Sequence, residues 1–187
     1  MPPASGATAR RWVSSDPLTG DAIRQILLEV AGTLPARSPQ YVIVTVGGAL
    51  LAMLGYRDAT RDVDSVSSLD DTLRSAVEEV ASRHGLAPKW LNDAAAGFLP
   101  QTFDERRCTV LIEHSRLLVL GAPLDQIFVM KLFAYRAVDI ADLRSIWTDC
   151  GFKSPEAAAD LYHRAYPHLS FDTHLADEIR LIVVSDS

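Results

Sequence analysis

Apolar residues recur along this chain with two different spacings, and the pattern predicts a mixture of helices and strands. The segment 23–34 repeats apolar residues at helical spacing, and Thr19 or Asp21 is available as its N-cap. Residues 41–46 form a β-branched run that is typical of a buried strand. A second amphipathic helix is predicted over 69–84.

The second half of the chain is predicted to be mostly helical. Two strands are expected at 108–113 and 117–120. Helical spacing then predicts four consecutive helices, at about 124–137, 140–149, 155–166 and 173–184. The expected organisation is a flexible tail over 1–15, a mixed α/β core over 16–122 and a helical C-terminal part over 123–187 that packs on the core.

Two short motifs follow the first long strand. Val46-Gly47-Gly48 closes one apolar run, and Asp62-Val63-Asp64 opens another after the spacer Ala49–Arg61. Because side chains alternate along a strand, Asp62 and Asp64 are expected to project to the same side. Two carboxylates beside glycines suit a magnesium ion that also binds phosphate oxygens. Acidic pairs at strand ends are often only solvated, but the glycine pair at this spacing favours the metal site.

These residues resemble the nucleotidyltransferase superfamily, whose pattern is a hydrophobic residue, Gly-Gly or Gly-Ser, a spacer and Asp-x-Asp. The resemblance implies a nucleotidyltransferase-type mixed sheet, with Asp62 and Asp64 as catalytic ligands of Mg²⁺. It also implies that Gly47 and Gly48 let the backbone approach the phosphates of a nucleoside triphosphate. Many members carry serine where this chain has Gly48, so only backbone amides are expected to contact the triphosphate there.

Lys131 is an unexpected charge in an apolar helix. It shares a stripe with Ile127, Phe128 and Tyr135, and nearly every face of that helix is apolar. An unpaired buried ammonium costs at least several kcal/mol, so a carboxylate or a bound phosphate is expected beside it. The alternative is a lysine that extends its ammonium to water along its aliphatic stem.

The position of Asp142 depends on the chain between it and Lys131. An unbroken helix would separate the two residues by roughly 16 Å, so we expect a bend, with Asp139 capping the next helix and Asp142 at its third position. There Asp142 is either catalytic or simply favoured by the helix dipole. Glu113, near the end of a predicted strand, is a rival candidate for a third carboxylate.

A narrower resemblance covers the later motifs. Met130-Lys131-Leu132-Phe133-Ala134 and the following Asp142-Leu143 are similar to signatures of AbiEii-like and MenT-type toxins of toxin–antitoxin systems. The resemblance implies that Lys131 contacts nucleotide phosphates and that Asp142 completes the active site. It further implies transfer of nucleotides, with CTP or ATP as candidate donors, to the 3′ end of tRNA. Translation would be blocked, and a cognate antitoxin would restrain the toxin.

Thr60 occupies the position of a serine that is phosphorylated in some MenT-type toxins. A phosphate there would add about −1.5 to −2 charges beside Asp62 and Asp64 and repel the metal-bound triphosphate. The alternative is a threonine that hydrogen-bonds the loop backbone.

Composition and charge restrict the remaining possibilities. A net charge of −6 and a pI of about 5.3 argue against broad adhesion to nucleic acid, although Arg57 and Arg61 flank the acidic motif and Arg61 is a candidate nucleotide-binding residue. Cys108 and Cys150 are expected to be free thiols. No long apolar run or secretory leader is evident, so no membrane association and a cytoplasmic location are expected.

Two other functions remain open at this stage. The same chemistry could act on a small molecule, as in aminoglycoside nucleotidyltransferases, and an acidic cleft would favour such cationic acceptors. A non-catalytic relative that binds nucleotide or protein is the other alternative.

Overall fold

The computed structural model describes residues 17–183, so the predicted tail at 1–15 lies outside the described residues. The first elements in chain order are β1 (Leu18–Thr19), α1 (Gly20–Thr33), β2 (Tyr41–Val46), α2 (Gly47–Leu54), β3 (Ala59–Thr60), β4 (Val63–Ser65), α3 (Asp71–His84) and β5 (Leu91–Asn92). They are followed by β6 (Thr109–His114), β7 (Leu117–Gly121), α4 (Leu124–Ala134), α5 (Asp139–Ile146), α6 (Pro155–Ala165) and α7 (Leu175–Val183). Short 3-10 helices lie at Ala94–Phe98, Glu105–Arg107 and Trp147–Cys150.

The helices of the first half begin and end at the residues that local chemistry favours. Thr19 caps α1 by accepting a hydrogen bond from the amide of Ala22, and Asp70 caps α3 in the same way. Gly55 and Gly85 end α2 and α3 in the left-handed conformation, with φ of 85° and 66°.

The main sheet has five strands in the order β5-β4-β2-β7-β6. The central strand β2 pairs antiparallel with β4 and parallel with β7, so the sheet is mixed as predicted. Val46, the last residue of β2, lies opposite Asp64 in this register. The start of α2 is therefore held next to the acidic motif.

Helices cover both faces of the sheet. Ile43 packs with α1 and α3, whereas its neighbour Val44 packs with residues of α4 and α5 on the other face. Phe128 of α4 is fully buried in this second layer. Helices α4 and α5 therefore pack on the sheet, and residues 122–123 lie in the connection between β7 and α4.

The bend predicted between Lys131 and Asp142 is present, but its details differ. Helix α4 ends at Ala134, because Tyr135 adopts a left-handed conformation with φ of 43°. The expected N-cap role of Asp139 is wrong. Val138 occupies that position without a side-chain hydrogen bond, and Asp139 is the first residue of α5, because its carboxylate turns inward to cationic side chains.

The four predicted C-terminal helices are present with shorter bounds. The segment expected to be helical to residue 149 leaves the α-helical form after Ile146 and continues as a 3-10 turn. Among residues 17–183, no helix combines the length and the apolar character needed to cross a membrane.

Candidate active site

Asp62 and Asp64 lie together at one edge of the sheet. Asp64 is in β4 and Asp62 immediately precedes that strand, with fully buried Val63 between them. Both carboxylates line the same cleft. This is the arrangement that strand alternation predicts, because Val63 fills the core while its two neighbours face outward.

A cation beside Asp64 would stabilise the ionised form of its carboxylate. Burial raises its pKa above the ordinary value, and the negative charge of Asp62 raises it further. A hydrogen bond from Asn92 Nδ2 to Asp64 Oδ1, at 3.1 Å, works in the opposite direction. Because the two carboxylates repel each other, a divalent cation between them would relieve the repulsion.

The glycine pair brings the beginning of α2 against the carboxylates. Gly47 has a φ of 63°, and a Cβ there would lie 3.3 Å from Asp64 Oδ2. A Cβ on Gly48 would lie only 2.9 Å from the hydroxyl of Thr60. No side chain caps α2, so its first amides are available as donors, and helix N-termini favour phosphate groups.

Lys131 is buried and paired with two carboxylates. Its side chain is 5% exposed, and its ammonium lies 2.8 Å from Asp139 Oδ1 and 2.6 Å from Asp142 Oδ2. The expected carboxylate partner is therefore present. The alternative in which the lysine extends its ammonium into water is wrong, because the helix bend brings α5 over the end of the side chain.

Two arginines extend this charge cluster to the cleft. Arg136 Nε lies 2.9 Å from Asp139, and Arg57 Nη1 lies 3.1 Å from Asp142. Burial raises the pKa of Asp139, but hydrogen bonds from Arg136 and Lys131 outweigh it and hold the pKa below its ordinary value. With three cations and two carboxylates, the cluster carries an excess positive charge.

The cleft has two lobes that share Asp64, Lys131 and Arg136. The polar lobe has a volume of about 340 Å³ and is also lined by Pro17, Gly48, Arg57, Ala59, Thr60, Arg61, Asp62, Val138 and Asp139. The apolar lobe has a volume of about 470 Å³ and is also lined by Val46, Gly47, Ala94, Ala95, Phe98, Ile127, Met130, Phe133 and Ala134.

Residues 22–147 match a protein family described as nucleotidyltransferases of unknown function (DUF6036). This range is more than half of the chain and includes the glycine pair, both aspartates of the acidic motif, Lys131 and Asp142. The chain belongs to this nucleotidyltransferase family. No curated protein and no solved structure matches it significantly. The family description indicates nucleotide transfer as the general class of reaction.

Three other predicted site residues of this nucleotidyltransferase, Thr60, Arg61 and Asp142, differ in whether they line the cleft. Arg61 is exposed and lines the polar lobe, and Thr60 lines it with only 7% of its surface exposed. Asp142 lines neither lobe and reaches the cleft through Lys131 and Arg57.

Glu113 is not brought to the cleft. It lies exposed on β6, and β7 and β2 separate that strand from β4. Three strand spacings amount to roughly 14 Å, so the sheet keeps the carboxylate of Glu113 away from those of Asp62 and Asp64. The polar end of β6 is a solvated strand end.

Sequence reasoning missed several residues of the site. Asn92 and Arg136 belong to none of the motifs that indicate the site, and Asp139 is predicted only as a helix cap. The spacing of Arg136 and Asp139 is an available signal, since oppositely charged residues three apart meet across a single turn, here the turn that leads into α5. The contact of Asn92 with Asp64 has no such local signal, because it depends on the pairing of β4 with β5.

The acidic pair fits a magnesium ion. Asp62 and Asp64 offer hard carboxylate oxygens beside a helix N-terminus. Within residues 17–183, no group of three or more His, Cys, Asp or Glu side chains is arranged to hold a metal. The rest of the coordination shell would come from water and phosphate oxygens, which is the arrangement that Mg²⁺ favours in nucleotide enzymes.

Proposed function

We propose that this nucleotidyltransferase uses Mg²⁺ to transfer a nucleotidyl group from a nucleoside triphosphate to a hydroxyl acceptor. The observation that carries the proposal is the meeting of Asp62 and Asp64 with the uncapped start of α2 in one cleft. Carboxylates hold the metal, and backbone amides hold the phosphates. Binding a metal-bound triphosphate needs both the carboxylates and the amides. The antiparallel pairing of β2 with β4 brings the start of α2 next to Asp64.

In this proposal the triphosphate occupies the polar lobe. Asp62 and Asp64 hold the ion, which when bound neutralises phosphate charge and polarises the phosphoryl group. The amide of Gly48 and the guanidinium of Arg61 in this lobe, with the amide of Gly47 in the adjoining lobe, hold the phosphate oxygens. The acceptor oxygen forms a bond to the α-phosphorus while the bond to the bridging oxygen breaks. Pyrophosphate leaves, and the proton of the hydroxyl passes to water.

Lys131 contributes its charge from inside the protein. An ammonium has three donors, and two of them already bind Asp139 and Asp142. The third is left for a phosphate oxygen at the border of the two lobes. Asp142 is thus a positioning residue, since it orients Lys131 and Arg57 without lining the cleft itself.

The acceptor that we propose is the 3′ end of tRNA, with CTP or ATP as donor. The proposal rests on the similarity to toxin nucleotidyltransferases and would make the chain a translation-blocking toxin restrained by an antitoxin. Charge supports an RNA acceptor over a cationic aminoglycoside. The polar lobe is lined by four cations, at Arg57, Arg61, Lys131 and Arg136, and by three carboxylates, at Asp62, Asp64 and Asp139.

Regulation at Thr60 also remains a proposal. Its hydroxyl faces Gly48 at the start of α2, where a phosphate would compete with the triphosphate for the same amides and add negative charge to the lobe that Asp62 and Asp64 line. The residue is buried, so a modifying enzyme would have to reach it through the polar lobe. Intact-mass analysis of the protein coexpressed with its partner tests this, and unmodified Thr60 under restraint would exclude the mechanism.

The defining experiment is a labelling assay. Purified protein is incubated with Mg²⁺ and each radiolabelled nucleoside triphosphate, with and without total tRNA, beside Asp62→Asn and the control Asp160→Asn. Asp160 is exposed on α6, away from the cleft. We expect label in tRNA with the wild-type protein and the control only. Label in a small acceptor instead would favour the aminoglycoside-type function. The absence of any transfer would favour a non-catalytic protein that binds nucleotide or another protein.

A further inference from the structure

We infer that the apolar lobe holds the base of the donor nucleotide and that the base stacks on the ring of Phe98. The inference rests on the proposed function, because the polar lobe must hold the triphosphate. The two lobes share Asp64, Lys131 and Arg136, so a molecule with its phosphates in one lobe extends directly into the other. A volume of about 470 Å³ lies within the range of roughly 300–1,000 Å³ that is usual for small-molecule sites.

Phe98 is an exposed aromatic ring with a fixed backbone. Its side chain is 55% exposed, although large apolar side chains are normally buried. The hydroxyl of Tyr166 donates a hydrogen bond to the carbonyl oxygen of Phe98 at 3.0 Å. The Phe98 ring also packs against Phe133, with 6.1 Å between centroids, and Phe133 stacks on Tyr166 at 4.4 Å. These contacts restrict the Phe98 ring beside the cleft, so a base that stacks on it would cost little further conformational entropy.

The chemistry of the lobe favours stacking as the main source of affinity. The side chains that belong to this lobe alone are apolar, for example Ala94, Met130 and Phe133. The three polar side chains lie at the border with the polar lobe, and each already has a partner: Asn92 for Asp64, and Asp139 for Lys131 and Arg136. An aromatic face can bind any base through its π surface, whereas the side chains that line this lobe alone offer no hydrogen-bond donor to a base edge.

The lobe is also tied to the proposed metal site. Asn92 donates to Asp64 through Nδ2, and its Oδ1 accepts the amide of Ala94, the first residue of the 3-10 helix that ends at Phe98. One amide side chain therefore fixes the stacking segment relative to the carboxylate that would hold the ion. This connection sets the distance between base and phosphates.

The test compares nucleotide binding with binding of the phosphate chain alone. Dissociation constants are measured in Mg²⁺ for ATP, CTP and inorganic tripolyphosphate with the wild-type protein, Phe98→Ala and Phe171→Ala. Phe171 is a matched control, because it is 70% exposed and stacks on His163 rather than lining the cleft. From the usual contribution of base–aromatic stacking to binding, we expect Phe98→Ala to bind ATP and CTP about 5- to 150-fold more weakly than the wild type.

Tripolyphosphate binding should be unchanged in Phe98→Ala, and Phe171→Ala should bind all three ligands normally. The inference is overturned if Phe98→Ala binds the nucleotides like the wild type, or if it loses tripolyphosphate equally. Phe98→Ala that raises only the KM of the acceptor would place the acceptor in the lobe instead. If the wild-type protein binds neither nucleotide nor tripolyphosphate, the proposed function itself is refuted. The outcomes described for Phe98→Ala bear only on the position of the base and do not contradict the proposed function.

Discussion

The ammonium of Lys131 lies 2.6 Å from Asp142 Oδ2, although the two residues are eleven positions apart in the chain. The left-handed Tyr135 ends α4 between them and lets α5 fold back over the lysine. Because both side chains are buried, the pair also fixes how α5 packs on α4. This contact therefore links the stability of the C-terminal helices to the charge of the cleft.

Replacing Lys131 by methionine should destabilise the protein by about 3–5 kcal/mol, because two buried carboxylates lose a shared partner. Urea unfolding measures the change. Lys89→Met, at an exposed position, should stay within about 0.5 kcal/mol of the wild type. A double-mutant cycle with Asp142→Asn should give a coupling energy of about 0.5–3 kcal/mol. Additive effects would show that the pair is energetically independent.

The pH dependence of stability should carry a contribution from Asp139. Its pKa is lowered in the folded protein by Arg136 and Lys131 against the effect of burial, so its stabilisation is complete above the ordinary aspartate pKa of 3.8 and is lost as pH falls through the folded pKa. The stability difference between the wild type and Asp139→Asn should therefore narrow on acidification. Urea unfolding across acidic pH checks this, and a constant difference would contradict it.

Asn92→Ala should weaken Mg²⁺ binding by about 10- to 100-fold, because hydrogen-bonding partners orient the ligands of a metal. The amide of Asn92 holds Asp64 Oδ1 at 3.1 Å and so fixes the direction of that carboxylate. Mg²⁺ titration in the presence of tripolyphosphate measures the loss. Gln40→Ala, which removes an exposed amide at the start of β2, the end opposite the acidic motif, should leave the titration unchanged.

Asp64→Asn should lower the rate of nucleotide transfer by at least about 100-fold, because it removes a charge that neutralises and positions the ion. The substitution preserves shape, so the unfolding midpoint of the metal-free protein should not fall with the activity. Single-turnover rates with saturating donor measure the chemical step. Activity near that of the wild type would exclude Asp64 as a metal ligand.

Gly48→Ala should destabilise the start of α2, since the added Cβ would meet Thr60 Oγ1 at 2.9 Å. Removing that hydroxyl creates space, so Gly48→Ala in a Thr60→Ala background should cost less than it does alone. Thermal unfolding of the four proteins measures this. Equal costs in the two backgrounds would show that Thr60 does not restrict residue 48.

Local signals in the sequence were sufficient for most of the fold. The β-branched run at 41–46 and the N-cap candidate Thr19 depend on nearby residues, and the structure confirms the strand and the helix that they predict. The partners of Lys131 could be predicted only by type, as carboxylates, because identifying them required the angle between α4 and α5. No local pattern identifies Phe98, because its place in the cleft depends on contacts with Phe133 and Tyr166, which are distant in the sequence.

The cleft draws its parts from widely separated points of the chain, with Gly47 and Asp64 in the first half and Lys131 after the last strand. A chain emerging from the ribosome can pair β2 with β4 and assemble both carboxylates long before α4 is available. Such a nascent chain has the repulsion between Asp62 and Asp64 without the cation that Lys131 later supplies. The buried lysine and its two carboxylate partners are thus the part of the proposed site that is synthesised last.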